Sequence, residues 1–144
     1  MLGYWRRPDL TEQTIRGDWM RTGDIATWDK EGYVFIVDRA KDMIIRGGVN
    51  IYPAEIEHVL SLHDSVIESA VVAWPSKTFG EEIAAFVVAR ADLADANELL
   101  KWCGENLARY KMPREIFFIE ELPKSGVGKV LKHDLTGLLT PRND

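Results

Sequence analysis

The chain of 144 residues lacks several features that would assign it to a specialised class of protein. It has one cysteine, Cys103, so it can form no internal disulfide and offers no cysteine-based zinc framework. Its three histidines form no recognisable ligand set, so metal binding by the chain itself is not expected. A single cysteine suits a reducing compartment, and we therefore expect a cytoplasmic location.

Long hydrophobic runs and an excess of positive charge are also missing. The longest uninterrupted apolar run, Ile83 to Ala89, is far shorter than the ~20 residues that a transmembrane helix needs. With 18 Lys and Arg against 23 Asp and Glu, the net charge is −5, whereas nucleic-acid binding needs a basic face. The sequence therefore predicts no transmembrane segment and no nucleic-acid partner.

The hydrophobic pattern predicts an α+β fold, with a small mixed sheet, flanking helices and a β-hairpin. Hydrophobic residues make up 46% of the chain, which is ordinary for a globular protein. Pro53 marks a helix start and Asp95 a helix cap. Residues 3–24, rich in Gly, Pro and Trp, are predicted to be loop with short extended pieces. The predicted strands are 25–28, 33–37, 43–45, 66–74, 81–90 and 116–119, and the predicted helices start at 53, run from 95 to about 109, and run from 130 to 139.

The segment Pro123–Lys129 contains the strongest chemical signal that can be read from the residues alone. It is a Gly-flexed loop that presents Lys129 just before a helix, and such a loop can place backbone N–H groups and an ammonium against an anion. It is not a Walker A loop, because Pro123 occupies the place of the first glycine and Val130 follows the lysine. On composition alone, a solvated turn is the favoured alternative.

Three motifs in order make the chain resemble the C-terminal portion of the adenylate-forming enzymes, which include acyl-CoA synthetases, peptide-synthetase adenylation domains and firefly luciferase. Gly17–Asp24 resembles the segment that ends in the TGD motif of that family. Residues 38–57 resemble its hinge motif, and Pro123–Val130 resembles its terminal P-K-[ST]-x-x-G-K-[IV] motif. The resemblance covers residues 3 to about 135.

The resemblance implies the C-terminal part of an ATP-dependent acyl-CoA ligase, inactive on its own. A carboxylate would attack the α-phosphate of ATP to give an acyl-adenylate, and the thiol of coenzyme A would then displace AMP. Mg²⁺ would accompany ATP and be held mainly by the large N-terminal domain. The run Asp42–Ile45 resembles medium- or long-chain acyl-CoA synthetases, which favours a fatty acid as the substrate.

The resemblance also implies two domains. Residues 1–38 would be a remnant of the N-terminal adenylation domain, and residues 39–144 the mobile C-terminal domain, with the rest of the N-terminal domain as a partner. The apolar run Val34–Val37 is typical of a strand covered on both sides. We expect this first segment to be poorly ordered or to pair with another chain. A homodimer stays open.

Six site residues follow from the match to the family motifs. Asp24 would accept hydrogen bonds from the ribose hydroxyls, Arg39 would lie near ribose and phosphate, and Lys129 would be catalytic, bridging the substrate carboxylate and the α-phosphate. Lys41 would be the hinge, and the Gly47–Gly48 pair would let the pantetheine arm of coenzyme A approach the backbone closely.

Alternatives accompany each of these assignments. Asp24 could be only a turn residue, Arg39 and Lys41 only surface charges, and Gly47–Gly48 only the closure of a hairpin. For the whole chain, the alternatives are an adenylation domain that loads a carrier protein and a non-catalytic stand-alone binding module of the same fold.

Overall fold

The computed structural model describes residues 1–90, 93 and 95–139, and it divides into two compact units. The first unit comprises Met1–Lys41, and the second begins at Asp42. None of the helices in the described ranges is long and apolar enough to cross a membrane.

The first unit contains one helix and two small antiparallel sheets. The prediction that residues 3–24 are loop with short extended pieces is wrong over Pro8–Thr14, which is a helix. Pro8 occupies the first turn of this helix, where its missing N–H costs nothing. Thr11 fixes the preceding turn, because its hydroxyl accepts from the Tyr4 N–H and donates to the Arg7 carbonyl, each over 2.9 Å. The elements are α1 (Pro8–Thr14), β1 (Ile15–Arg16), β2 (Trp19–Met20), β3 (Asp24–Trp28) and β4 (Val34–Arg39).

The predicted hairpin forms between β3 and β4, with Thr27 opposite Phe35 and Trp28 opposite Val34. The expectation that Val34–Val37 is covered on both sides is not met within this chain. Val34, Phe35 and Ile36 are each more than half exposed. The physical reason is that a sheet of two strands has no second layer in this unit to cover either face.

The second unit is built on one mixed sheet of five strands, as the sequence predicts. Strand β8 lies at its centre and pairs with β7 along most of its length. On its other edge it pairs with β5 at Gly80 and, in parallel, with β9 from Ala84 to Val87. The elements are β5 (Ile44–Arg46), β6 (Val49–Ile51), α2 (Pro53–Ser61), β7 (Val66–Ser76), β8 (Gly80–Ala89), α3 (Ala96–Asn106), a 3₁₀ turn (Arg109–Lys111), β9 (Glu115–Phe118) and α4 (Lys132–Gly137).

Hydrophobic clusters cover both faces of this sheet. Ile83, Ala85 and Val87 belong to one cluster, which includes buried residues of α2 and α3. Ala84 and Phe86 belong to the other, which includes Leu135 of α4. Because side chains alternate along a strand, the unbroken apolar run of β8 has a hydrophobic layer on each side.

Local signals explain where the helices begin and end. The Asp95 carboxylate accepts from the N–H groups of Asn97 and Glu98, which confirms the predicted cap of α3. The helix ends at Asn106, before the predicted end near 109, and the chain continues into the 3₁₀ turn. Helix α4 is shorter than predicted, because Val130 forms a β-bridge with Lys124 and the Leu131 N–H bonds to the Pro123 carbonyl.

The buried thiol of Cys103 on α3 generates a prediction. Burial disfavours the thiolate and raises the pKa of Cys103 to about 11. Because the pKa is raised, the thiol stays protonated at pH 8, where an exposed cysteine is already partly ionised. The native protein should therefore react with a thiol reagent at pH 8 far more slowly than the same chain in denaturant. Equal rates in the two states would contradict the placement of Cys103 in the core.

Candidate functional site

Two of the predicted nucleotide-binding residues, Asp24 and Arg39, lie opposite each other on β3 and β4. Arg39 Nε is 3.1 Å from Asp24 Oδ1, and the side chain of Arg39 remains about half exposed. The Thr22 hydroxyl accepts from the Asp24 N–H over 3.1 Å. The hairpin thus holds a carboxylate and a guanidinium side by side, where the first can accept from a diol and the second can bind a phosphate.

The backbone around this pair is fixed by Gly23 and Asp38. Gly23 has a φ of +79°, a left-handed conformation that favours glycine, and its carbonyl accepts from the Ala40 N–H over 2.8 Å. Asp38 is buried, and its carboxylate accepts from the Arg39 N–H over 2.7 Å. The sequence motif contained Asp38, but nothing in the pattern identified it as the residue that holds the Arg39 backbone.

Lys129 lies at the end of a short, tightly bonded loop. Lys124 and Val130 bridge its base, and the Ser125 N–H donates to the Lys129 carbonyl over 2.8 Å. The Ser125 carbonyl accepts from the Gly128 N–H, and Gly128 has a φ of +79°. The Ser125 hydroxyl also accepts from the Lys129 N–H over 3.2 Å. Residues 124–130 are therefore a small hairpin and not a loose solvated turn.

Two ion pairs attach this hairpin to the rest of the second unit. Lys124 Nζ lies 2.7 Å from a carboxylate oxygen of Glu68 on β7. Lys132 Nζ, at the start of α4, lies 2.6 Å from Glu57 of α2. The same Glu57 carboxylate accepts from the Val71 N–H over 2.8 Å, so it ties α2, β7 and α4 together.

The Lys129 ammonium is the exception among the lysines of this unit. Its side chain is exposed and, among the lysines of the described residues 42–139, it is the one whose ammonium has no ion pair or hydrogen bond. The lysines on either side of it in sequence, Lys124 and Lys132, are each neutralised by a glutamate. The hairpin therefore presents one uncompensated cation, which is what an anion site requires.

Gly47 and Gly48 form the turn between β5 and β6. Their φ values are +57° and +83°, so both residues adopt the left-handed conformation of a tight two-residue hairpin turn. The Gly47 N–H donates to the Phe79 carbonyl over 2.9 Å. Gly47 and Gly48 therefore do close a hairpin, which was the alternative given for this pair. The same geometry is compatible with a role in binding.

A pocket of about 460 Å³ opens beside this turn. Its walls come from three separate parts of the chain and combine aromatic with cationic groups. The match to the hinge motif identified Gly47, but sequence reasoning missed the walls that come from Phe79 and from Arg109 and Tyr110. Lining residues are Arg46, Gly47, Phe79, Arg109 and Tyr110.

Lys111, the last residue of the 3₁₀ turn, lies next to this pocket. Its ammonium donates to both carboxylate oxygens of Glu55, over 2.7 and 2.6 Å. The hydrogen bond to Glu55 raises the pKa of Lys111, so the ammonium stays charged and stays paired. The ion pair between Lys111 and Glu55 therefore connects the 3₁₀ turn to α2.

The Lys129 hairpin and the Gly47–Gly48 turn lie at opposite ends of the sheet. Glu68, which holds the hairpin, pairs with Val88, whereas Gly80 pairs with both Ser76 and Arg46. From Glu68 to Ser76 is eight residues of strand, or roughly 27 Å at about 3.4 Å per residue. The candidate site residues of the second unit therefore lie at two separate ends of its sheet.

No metal centre is evident in the part of the chain that the structure describes. These residues contain no group of three or more His, Cys, Asp or Glu side chains that could hold a metal ion.

Comparison with known proteins gives consistent matches. A family model described as the AMP-binding enzyme C-terminal domain matches residues 55–129. The chain is 49% identical over 135 residues to a long-chain-fatty-acid–CoA ligase of Yersinia pestis, covering 94% of this chain and 24% of that protein. It therefore spans about a quarter of the length of the curated relatives it matches.

Solved structures give the same result. One is ATP-bound MatB from Rhodopseudomonas palustris, with a TM-score of 0.85 and 39% identity over 94% of this chain and 27% of that chain. Another is o-succinylbenzoate CoA synthetase (MenE) from Bacillus subtilis with an acyl-adenylate intermediate, with a TM-score of 0.88 and 35% identity over 98% and 29% of the two chains. These matches confirm the resemblance and the α+β fold predicted from the sequence.

The two ion pairs that hold the hairpin should differ in strength. Lys124 and Glu68 are each about 40% exposed, so we expect a coupling energy of about 0.2–1 kcal/mol. Lys132 and Glu57 are less exposed and share a backbone hydrogen bond, so we expect a larger value, about 1.5–3 kcal/mol. Double-mutant cycles with Met for lysine and Gln for glutamate, measured by urea unfolding, test this. An equal or larger coupling for Lys124 and Glu68 would contradict it.

Proposed function

The chain belongs to the family of AMP-binding enzyme C-terminal domains, and from this premise we propose that it is the C-terminal part of an ATP-dependent acyl-CoA ligase. The whole enzyme would convert a carboxylic acid to an acyl-adenylate and then to a coenzyme A thioester, with release of AMP. The observation that carries the proposal is the uncompensated Lys129 ammonium on a hairpin held by two flanking ion pairs.

In the first half-reaction, an oxygen of the substrate carboxylate attacks the α-phosphorus of ATP, and the bond to the leaving pyrophosphate breaks. Lys129 would lie between the carboxylate and the α-phosphate and would stabilise the negative charge that develops there. Asp24 would accept from the ribose hydroxyls, and Arg39 would donate to ribose and phosphate oxygens. The ion pair between Asp24 and Arg39 supports this assignment, since it holds both groups in one place.

In the second half-reaction, the thiolate of coenzyme A attacks the acyl carbonyl, and AMP leaves as the thioester forms. Gly47 and Gly48 carry no side chains, so the pantetheine arm could pass close to their backbone. The pocket beside them would take the nucleotide end of coenzyme A. Arg109 supports this, because its guanidinium has no ion pair within the described ranges and can bind phosphate.

The distance between the two ends of the sheet supports a reorientation between the half-reactions. Lys129 would be needed at the reacting centre in the first half-reaction and the Gly47–Gly48 turn in the second. These two features lie at ends of the sheet that are roughly 27 Å apart. The second unit would therefore rotate against the N-terminal domain of the same enzyme. Lys41, the last residue of the first unit, would be the hinge.

A fatty acid is the proposed substrate, on the strength of the Yersinia pestis relative and the Asp42–Ile45 run. A neighbour of similar fold carries an o-succinylbenzoyl adenylate, so the fold of this part does not by itself distinguish a fatty acid from other acids. Mg²⁺ would be bound mainly by the N-terminal domain of the same enzyme.

The role of Lys129 predicts a selective loss of the first half-reaction. In the full-length enzyme, Lys129→Ala should lower ATP–pyrophosphate exchange by about 100-fold or more, because a preorganised charge at the transition state is lost. Thioester formation from preformed acyl-adenylate should be retained. Lys101→Ala, which removes another exposed lysine of this unit, is the control and should leave both rates unchanged.

Two outcomes would count against the assignment. Exchange at the wild-type rate in Lys129→Ala would remove the proposed role, and an equal loss of both half-reactions would indicate a structural defect.

The pocket predicts free coenzyme A as the acceptor and not a carrier protein. If the pocket binds the nucleotide end, kcat/KM for coenzyme A should exceed that for pantetheine, which lacks it, by about tenfold or more. Steady-state assays of the full-length enzyme with both thiols measure this. More efficient loading of a carrier protein would support the alternative of a carrier-loading adenylation domain. Tight binding of ATP by the isolated chain in calorimetry would support a stand-alone binding module.

A further inference from the structure

Arg46 is the last residue of β5, directly before the Gly47–Gly48 turn, and its guanidinium contacts three other segments. Nε forms an ion pair with Glu82 Oε2 at 2.8 Å, and Nη2 donates to Glu82 Oε1 over 3.0 Å. Nη1 donates to the Tyr110 carbonyl over 2.9 Å. The same group lies over the Phe79 ring, 5.1 Å from its centroid. The Arg46 side chain thus connects the Gly47–Gly48 turn to β8, to the loop that precedes β8 and to the 3₁₀ turn.

The partner of Arg46 is a buried charge. Glu82 is only 2% exposed and lies on β8, two residues after Gly80, whose register partner is Arg46 itself. The other cation near it is Arg114, with Nη1 3.8 Å from Glu82 Oε1. A buried carboxylate needs a close counter-charge, so Glu82 holds the Arg46 guanidinium at this position.

These contacts distinguish Arg46 from Arg109, the other arginine that lines the pocket. Nη1 and Nη2 of Arg46 donate to protein acceptors, and Nε is buried 2.8 Å from Glu82 Oε2 without a hydrogen bond, so the guanidinium is less available to a ligand phosphate than that of Arg109. Its contacts instead fix the relative positions of the pocket walls. Four of the five residues that line the pocket are Arg46 itself or residues that it touches or adjoins.

We propose that Arg46 is a positioning residue for thioester formation, which holds Gly47, Phe79 and Tyr110 in the arrangement that receives coenzyme A. This inference rests on the proposed function. It assigns the Arg46–Glu82 pair to the second half-reaction, at the end of the sheet away from Lys129, so its loss should leave adenylation intact.

The test uses the full-length enzyme and separates the two half-reactions. Arg46→Met removes the guanidinium and keeps most of the side-chain volume, and Arg46→Lys keeps the charge but loses the planar group that donates to both Glu82 and Tyr110. Since Arg46→Met alone leaves Glu82 buried without its main partner, the double variant Arg46→Met/Glu82→Gln is measured beside it. Arg114→Met is the matched control, because it also removes a cation near Glu82 but does not line the pocket.

The expected result is a loss confined to coenzyme A. For Arg46→Met and for the double variant, kcat/KM for coenzyme A from preformed acyl-adenylate should fall by about 10- to 100-fold. ATP–pyrophosphate exchange should stay within about twofold of wild type. Arg46→Lys should recover part of the loss, and Arg114→Met should resemble the wild type.

Other results would overturn the inference. An unchanged kcat/KM for coenzyme A in the double variant would show that Arg46 does not position the pocket. An equal fall of both half-reactions would show a merely structural role. If the wild-type enzyme itself made acyl-adenylate but no coenzyme A thioester, the proposed function would fail, and this outcome is distinct from a failure of Arg46 alone.

Discussion

The pairing of β7 with β8 is the interaction on which the second unit depends. It runs from Val66 opposite Ala89 to Ser76 opposite Gly80, and β8 is buried on both faces by separate hydrophobic clusters. Helices α2 and α3 contribute to one cluster and α4 to the other, so each helix is placed by the sheet. The Gly47–Gly48 turn and the Lys129 hairpin, which carry candidate site residues, lie near the two ends of this ladder, whose backbone hydrogen bonds and apolar faces are both satisfied.

Charge is distributed over this framework in a selective way. Glutamates of the sheet and of α2 hold Lys124, Lys132, Lys111 and Arg46 in fixed ion pairs. Lys129 and Arg109 are left without such partners in the described ranges. Within the described residues, the cations that connect elements of the fold are thus compensated, while Lys129 and Arg109, at opposite ends of the sheet, are not. Local contacts, and not the net charge of the chain, decide which cations are paired.

Much of the fold could be predicted from the sequence, because strand and helix periods and the Asp95 cap are local signals. The motifs also located Asp24, Arg39, Lys129 and the Gly47–Gly48 turn. The pocket could not be predicted, because its walls come from residues 46–47, 79 and 109–110, which only the sheet brings together. The partner of Lys124 is 56 positions away in the sequence, so its pairing, and hence the isolation of Lys129, was equally invisible. Helix α1 was missed because Gly, Pro and Trp around it outweighed the start signal of Pro8.

The burial of β8 on both faces also limits how the distance between the two ends of the sheet could change through insertions or deletions during evolution. Inserting one residue into the ladder would exchange the faces, sending the bulky Phe86 toward the side that now accepts Ala85. Two residues added to each strand would keep both faces and move the ends apart by roughly 7 Å. A single-residue insertion keeps the faces only where a bulge absorbs it, as at the register shift between Val66 and Glu68, while the loop at residues 77–79 is free of that restriction. The distance between the Lys129 hairpin and the Gly47–Gly48 turn is therefore more constrained than the sequence of the loops at the surface.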